Sequence, residues 1–279
     1  FNLSTASSPG AFESEESDNK RNVWFEPRSL DDLPERKKLH SNDTSLGVGY
    51  APLSTLEKTI LDIEGALNSP QFKLENPWIG SDIKLMGSVT DGAAELTMCI
   101  PQIADYVGSM DEYVNNMEMA KKLVLEKLHA NFPEVSGLRV NSRDNFNTNE
   151  LYLTAIGSSI ESGDEGLVGR GNRINGLISP SRPMSMEGVC GKNPVYHIGK
   201  LYNIAAQRIA DLVHRITGEY CEVYLVSQSG RDLIDPWKIV VAVPNPDCIS
   251  SELRDHIMEE VLDIPKITGM LLAGEISLY

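Results

Sequence analysis

Apolar residues recur at helical spacing in four segments of the chain. Two of these segments begin with capping boxes, Ser54 to Glu57 and Ser109 to Glu112, which predict a helix from about 54 to 68 and a longer helix after 109. The buried face of the longer helix is predicted to contain Tyr113, Met117, Ala120, Val124 and Leu128. Met119 lies close to Met117 along the chain, and we interpret both methionines as residues that fill the core.

The second half of the chain repeats this pattern. One predicted helix has an apolar face made of Leu201, Ile204, Ala205, Ile209, Leu212 and Ile216. Arg208, His214 and Arg215 lie towards its carboxyl end, where positive charge is favourable. We therefore interpret His214 as a partner of the helix dipole rather than as a ligand. A further helix is expected at about 250–262.

Alternating apolar residues predict strands between these helices. The alternation at 83–89, the Asp91-Gly92 turn and the alternation at 96–100 predict a β-hairpin. Further strands are expected near 22–26, 137–142, 150–156, 220–227, 237–243 and 270–278. Hairpin-linked strands with one long helix predict an antiparallel sheet backed by helices, and hence an α+β fold with a structural repeat.

The segment 41–54 contains two glycines and an Asn-Asp pair, which predict a turn that positions Asp43 and Thr44. Residues 1–20 are rich in Ser, Glu and Asp and predict a disordered arm. The expected organisation is an arm at 1–20, a remnant of an N-terminal region with its leading strand at 21–53, a first α+β domain at 54–157, a central glycine-rich active-site segment at 158–200 and a C-terminal α+β domain at 201–279.

Composition excludes several classes of function. The net charge of −15 and a pI of about 4.8 argue against a nucleic-acid partner. The longest apolar run, Ile239 to Val243, is too short to span a membrane. Four cysteines without metal-like spacing, in a chain of 279 residues, are typical of a reducing compartment, so we expect a cytoplasmic protein without disulfides.

The central stretch from Gly157 to Lys200 differs from the rest of the chain. It contains nine glycines and the cations Arg170, Arg173, Arg182, Lys192 and Lys200, and its four acids leave it near +1. Glycines allow a backbone to approach a ligand closely, and cations with exposed N–H groups suit phosphate. This pattern favours a polyphosphate-binding loop, and the alternative is a structural crossover with solvated cations.

Three blocks of sequence carry a resemblance to a known family. They are NDTSLGVGYAPLS at 42–54, GDEGLVGRGNRINGLISPSRPMSMEG at 163–188 and GKNPVYHIGKLYN at 191–203. They closely resemble the archaeal-type S-adenosylmethionine synthetases (methionine adenosyltransferases), and the resemblance covers roughly 22–279. It implies an α+β fold of three pseudo-threefold related sheet-and-helix domains, one of them incomplete in this chain. It also implies dimers that pack sheet to sheet around the active sites.

The resemblance implies a reaction between ATP and L-methionine. The methionine sulfur attacks C5′ of ATP and displaces the triphosphate, which is then cleaved to pyrophosphate and phosphate, with Mg²⁺ and K⁺ assisting. A leaving group with several negative charges requires cations, and a thioether has no proton to lose. Positioning and electrostatic stabilisation are therefore the main demands on the protein.

The family roles map onto individual residues of this sequence. The resemblance implies phosphate binding by Arg170, Arg173, Lys192, His197 and Lys200. It implies that Asp43 and Asp164 lie near methionine and the nucleoside, with Asp43 reaching across the dimer interface. Asp164, Arg170 and Lys192 are the expected catalytic residues, and no metal ligand is assigned.

The chain departs from the family in one respect. Family members carry a His-Pro-Asp motif ahead of the 42–54 block, and this motif occurs nowhere in the chain. Three interpretations follow: a subunit that needs a partner chain, a fragment of a longer enzyme, or a non-catalytic regulatory partner of a complete synthetase. A homodimer or a hetero-oligomer is expected. Another nucleotide-dependent transferase or kinase is a further alternative, although no GxxxxGK[ST] pattern occurs.

Overall fold

The computed structural model describes residues 39–158, 173–185, 187–189, 191–276 and 278. The chain divides into two compact units, which we call the discontinuous unit (1–52 with 171–279) and the continuous unit (53–170). The predicted arm and the strand candidate at 22–26 lie outside the described residues. None of the helices in the described ranges is long and apolar enough to cross a membrane.

Short runs of strands are separated by helices along the described part of the chain. In order they are β1 (Leu46–Ala51), α1 (Thr55–Leu67), α2 (Pro70–Glu75), β2 (Lys84–Thr90), β3 (Ala93–Cys99), β4 (Gln102–Ile103), α3 (Met110–Asn131), β5 (Glu134–Val140), β6 (Leu153–Thr154), α4 (Ile198–Thr217), β7 (Cys221–Val226), β8 (Lys238–Ala242), α5 (Ser251–Leu262) and α6 (Ile264–Leu272). This mixture of segregated sheets and helices confirms the predicted α+β class.

The discontinuous unit is an antiparallel sheet in the order β1-β7-β8, covered on one face by helices. Helix α4 is the main covering helix, and nine apolar residues between Ile198 and Val213 are buried in it. Leu253 and Ile257 of α5 and Ile264 of α6 complete this core. The helix is therefore buried almost all round near its amino end and on one side only near its carboxyl end.

The glycines of 41–54 lie in strand β1 rather than in a turn, so the predicted turn is wrong for them. A Cβ added at Gly47 would lie 2.2 Å from the carbonyl carbon of Tyr202, and one added at Gly49 would lie 2.3 Å from that of Ala206. Helix α4 thus lies directly on the backbone of β1, at a distance that side chains would prevent. The turn itself occupies only the residues before Leu46.

Helix α4 also satisfies the free edge of β1. The Asn203 side chain accepts a hydrogen bond from the Val48 N–H at 2.9 Å. Four residues further along the same helix face, Gln207 accepts from the Tyr50 N–H at 3.3 Å and donates to the Tyr50 carbonyl at 3.0 Å. These backbone groups would otherwise need a fourth strand, because a buried strand edge must be paired.

The continuous unit contains the predicted hairpin, β2 and β3, which pair antiparallel. Asp91 (φ 52°) and Gly92 (φ 86°) both have positive φ, as a two-residue hairpin turn of this hand requires. Strand β5 pairs with β3 in parallel, so the prediction of a wholly antiparallel sheet is wrong. In the sequence, helix α3 lies between β3 and β5, and it provides the long crossover connection that a parallel pair of strands needs.

Local patterns predicted most helices correctly. The capping box of Ser54 and Glu57 is present, and all five residues on the predicted face of α3 are buried. At the start of α3, however, the Glu112 carboxylate accepts from the Gly108 N–H, so the second capping box is only half formed. Met119 is 50% exposed and Ile216 is 52% exposed, so neither fills the core as predicted.

Two predicted strands differ from the structure. The segment 150–156 contains only the two-residue strand β6, which pairs with β4. The predicted strand at 270–278 is wrong, because helix α6 runs to Leu272. Pro265 in the first turn of α6 and Gly274 (φ 72°) after its end are typical of helix boundaries. The strand prediction relied on the apolar residues of this segment and did not use these two signals.

We expect Gly47→Ala and Gly49→Ala each to lower the free energy of unfolding by about 1–3 kcal/mol or more, because the new methyl group would overlap the α4 backbone. Denaturant unfolding followed by circular dichroism measures this change. Gly269→Ala is the matched control, since nothing lies within 4 Å of its added Cβ and it is a helical residue. The control should be neutral or stabilising by up to about 1 kcal/mol. Equal stabilities of the three variants would contradict the close packing.

Candidate functional site

Two distant sequence blocks meet at the amino end of α4. Residues 42–45 precede β1, and residues 191–197 lead into α4, so the packing of α4 on β1 brings them together. The Asn42 side chain accepts from the Ile198 N–H at 3.1 Å, and the Ser45 hydroxyl donates to Glu187 Oε1 at 2.9 Å. We call this region, with Asp43, Glu187, Lys192, His197 and Lys200, the α4 amino-terminal cluster.

Lys192 and Glu187 form an ion pair within this cluster. Their Nζ and Oε2 atoms are 2.6 Å apart, and the side chains are only 23% and 16% exposed. Burial raises the pKa of Glu187, but the hydrogen bonds from Lys192 and Ser45 outweigh it, so the pKa lies below its ordinary value. The pair packs against Gly199, where an added Cβ would lie 2.7 Å from Glu187 Oε2 and 3.0 Å from Lys192 Cε.

His197 caps helix α4. Its Nδ1 accepts from the Gly199 N–H at 3.1 Å, so Nδ1 carries no proton in this arrangement and the neutral ring has its proton on Nε2. Burial lowers the pKa of His197, and the nearby Lys192 ammonium lowers it further, against the opposite effects of Glu187 and Asp43. The neutral ring therefore offers an Nε2–H donor.

The first N–H groups of α4 are occupied within the protein. Ile198 donates to Asn42, Gly199 to His197 Nδ1, and Lys200 and Leu201 both donate to the His197 carbonyl. An anion at this end of the helix would therefore meet side chains rather than free backbone N–H groups. Lys200 is the most enclosed of these side chains at 7% exposure, and its ammonium makes no hydrogen bond or ion pair with any residue that the structure describes.

The loops that carry Asp43 and Lys192 are held by residues outside the cluster. The Ser227 hydroxyl donates to the Asp43 carbonyl at 2.7 Å, while Asp43 Oδ1 accepts from the Thr44 N–H at 2.7 Å. The hydroxyl of Thr268 on α6 donates to the Pro194 carbonyl at 2.7 Å. The hydrogen bonds from Ser227 and Thr268 thus hold the backbone of both loops. The Asp43 side chain itself is exposed to solvent.

The described residues 173–185 and 187–189 lie over the other face of β1, where several of them line a cavity with Val48 and Tyr50. The guanidinium of Arg182 lies 4.9 Å from the ring centroid of Tyr50 and 5.3 Å from that of Tyr220, which are cation–π distances. Arg173 donates from Nε to Met184 Sδ at 3.4 Å. Arg173, Arg182 and Glu187 line one cavity over β1, so this segment connects the α4 amino-terminal cluster to two further cations.

The structure thus brings four of the predicted site residues together, namely Asp43, Lys192, His197 and Lys200. Arg173 lies on the covering segment, and Asp164 and Arg170 lie outside the described residues. Glu187, Ser45 and Asn42 were not predicted. Glu187 is the nearest acid to Lys192 in the sequence blocks and could have been suspected, but Ser45 is 142 residues from Glu187 and no local signal joins them.

The described ranges contain no group of three or more His, Cys, Asp or Glu side chains that could hold a metal ion. Asp43 and Glu187 are the acids of the α4 amino-terminal cluster, and Glu187 is already paired with Lys192. These side chains alone do not provide an all-protein cation site. Mg²⁺ is usually bound by one or two carboxylates together with substrate phosphates and water.

Comparison with known proteins identifies close relatives by sequence. The family model described as S-adenosylmethionine synthetase matches residues 26–275. The S-adenosylmethionine synthase of Pyrobaculum islandicum is 41% identical over 246 residues, and that of Hyperthermus butylicus is 41% identical over 249 residues; each match covers 86% of this chain and 61% of the relative. The chain therefore spans about 61% of the length of the curated relatives that it matches.

A solved structure supports the fold. An unusual S-adenosylmethionine synthetase from Campylobacter jejuni superposes with a TM-score of 0.55 over 81% of this chain and 61% of that chain. The two sequences are 16% identical, so the likeness concerns the fold alone.

We expect the free energy of unfolding to fall as the pH is lowered through about 6.5, because the unfolded imidazole of His197 then takes up a proton that the folded ring, with its lower pKa, does not. The fall should level off below the folded pKa. His197→Asn keeps a side-chain acceptor for the Gly199 N–H but does not titrate, so its unfolding should depend less on pH between about 7.5 and about 5.5.

Chemical denaturation at a series of pH values measures this difference. His256→Asn is the control, because His256 lies 44% exposed on α5 of the same unit. Equal pH dependence in the two variants would contradict the assignment of a half-buried, neutral cap to His197.

Proposed function

Because the chain belongs to the S-adenosylmethionine synthetase family, we propose that it contributes substrate-binding residues to the site where ATP and L-methionine form S-adenosylmethionine, with release of pyrophosphate and phosphate. The family match over 26–275 supports this proposal. The chain spans about 61% of the length of its relatives, so the proposed activity belongs to the complete enzyme in which it acts.

The observation that carries the proposal is the concentration of donors in the α4 amino-terminal cluster. The whole chain has a net charge of −15, yet Lys192, Lys200 and the Nε2–H of His197 meet at one end of one helix. Lys200 is buried there without a counter-ion among the described side chains. An anionic ligand at this end of α4 would supply a counter-ion for the Lys200 ammonium.

In the proposed reaction, these residues act on the departing triphosphate. When the methionine sulfur attacks C5′ of ATP, the C5′–O bond breaks and its electron pair remains on the triphosphate oxygen. Lys192 and Lys200 would stabilise that charge, and the neutral His197 would donate from Nε2. Asp43 is exposed beside them and is proposed to hold the methionine or nucleoside portion. Arg173 is proposed as a further phosphate contact.

Asp164 and Arg170 remain proposed catalytic residues on the strength of their sequence block alone, because they lie outside the described ranges. Mg²⁺ and K⁺ are proposed cofactors, and bound with the ATP phosphates they would supply further positive charge. We assign no step to them, since the described side chains do not themselves gather a metal site. A cytoplasmic location and an assembly of at least two chains complete the proposal.

We expect Lys192→Met to reduce kcat/KM for ATP by about 10²-fold or more in the assembly that forms S-adenosylmethionine, because a donor to the leaving group is lost. Product formation is measured by mass spectrometry. Lys266→Met is the matched control, since Lys266 is 71% exposed on α6 of the same unit and forms an ion pair with Asp263. Equal activity of the two variants would contradict the role of Lys192.

The need for a partner is tested by incubating the chain with ATP, methionine, Mg²⁺ and K⁺, alone and with any polypeptide that co-purifies or carries a His-Pro-Asp segment. Product only with the second polypeptide supports a split or hetero-oligomeric synthetase. Product from the chain alone contradicts the need for that motif. No product in either case, together with tight binding to a complete synthetase, would favour the non-catalytic regulatory partner instead.

A further inference from the structure

Glu187 is unexpected in a site proposed to bind a polyanion. Its carboxylate contacts the Lys192 ammonium at 2.6 Å and accepts from the Ser45 hydroxyl at 2.9 Å. A phosphate bound to Lys192 would therefore lie close to a second negative charge. Either the carboxylate leaves Lys192 when phosphate arrives, or it weakens phosphate binding while it stays.

The geometry gives this carboxylate a fixed position. Ser45 holds one oxygen from the strand side, and the backbone at Gly199 leaves the space that the ion pair occupies. At 16% exposure the carboxylate is partly withdrawn from solvent, so its charge is less screened than that of a surface acid. The contacts therefore keep a negative charge beside Lys192 whenever the site holds no anion.

We propose that Glu187 is an exchangeable partner of Lys192, which pairs with its ammonium in the empty site and lowers the affinity of the site for polyphosphate. This inference rests on the proposed polyphosphate-binding function. Glu187 is then a positioning residue, because it acts through Lys192 and not on the reacting atoms.

A carboxylate beside Lys192 would favour release of a polyanionic product. A product with several negative charges, held by Lys192, Lys200 and His197 together, would dissociate slowly, because affinity differences appear mainly in dissociation rates. A fixed carboxylate competes for one ammonium and repels the phosphate, so it favours release. In the empty site the same carboxylate satisfies Lys192, which would otherwise be a partly buried, unpaired charge.

A purely structural role for Glu187 makes a different prediction. If the carboxylate only tied Ser45 to the loop of Lys192, replacing it would loosen the loop and weaken phosphate binding. Glu187→Gln separates the two roles, because the amide keeps the size of the side chain and an acceptor for Ser45 but removes the charge. Glu187→Asp does the reverse, since it keeps the charge and shortens the side chain.

The test is a calorimetric titration of the full chain, in the assembly in which it purifies, with inorganic tripolyphosphate and Mg²⁺. We expect Glu187→Gln to bind about tenfold more tightly than wild type, which is the order of effect of removing one like charge at a few ångströms. Glu187→Asp should stay within about twofold to threefold of wild type. Asp263→Asn is the control, because it removes one negative charge from an exposed pair on the same unit.

A stopped-flow measurement of tripolyphosphate dissociation gives a second readout, and the Glu187→Gln complex should dissociate more slowly than wild type. Glu187→Ala provides a second neutral side chain if Glu187→Gln does not fold. Equal or weaker binding by the folded neutral variants would overturn the inference. If wild type does not bind tripolyphosphate, or Lys192→Met binds it as well as wild type, the proposed polyphosphate site itself fails, which is a distinct result.

Discussion

Helix α4 lies against the backbone of strand β1, and the rest of the described site depends on this contact. Gly47 and Gly49 permit it, because an added Cβ at either position would overlap the carbonyl carbon of Tyr202 or Ala206. Asn203 then bonds the free edge of the strand, as a neighbouring strand would. These two contacts fix the position of the helix along the strand and its rotation about its own axis. The helix backbone must lie over Gly47 and Gly49 while Asn203 reaches the N–H group of Val48.

The packing of α4 on β1 determines which charged side chains lie close together in the α4 amino-terminal cluster. The turn before β1 carries Asp43 and Ser45, and the loop before α4 carries Lys192, so fixing the helix on the strand fixes these side chains beside one another. Asn42 and His197 accept hydrogen bonds from the first backbone N–H groups of α4. The donors that remain available to a ligand at this end of the helix are therefore side chains. A chain with a net charge of −15 can hold a polyanion only where such a local group of cations overcomes the overall repulsion.

Local patterns were sufficient to predict the helices α1, α3, α4 and α5 and the hairpin, because capping boxes, helical spacing and the Asp91-Gly92 turn act within a few residues. They did not predict α2 or α6. Pairings between distant segments could not be predicted in this way. Gly47 and Gly49 resemble turn glycines until the helix that packs on them is known, and the bond from Val48 to Asn203 spans 155 residues. Glu187 was overlooked for the same reason, since its hydrogen bond to Ser45 depends on that packing. The sequence blocks identified Lys192, His197 and Lys200 as candidates but did not show that the carboxylate of Glu187 lies among them.

The most direct test of the account is a crystal structure of the chain with Mg²⁺ and tripolyphosphate. We expect phosphate oxygens within about 2.7–3.2 Å of the ammonium groups of both Lys192 and Lys200, with Lys192 released from Glu187 and helix α4 still packed on β1. Phosphate bound elsewhere, with the pair of Lys192 and Glu187 intact and Lys200 still without a ligand, would contradict it.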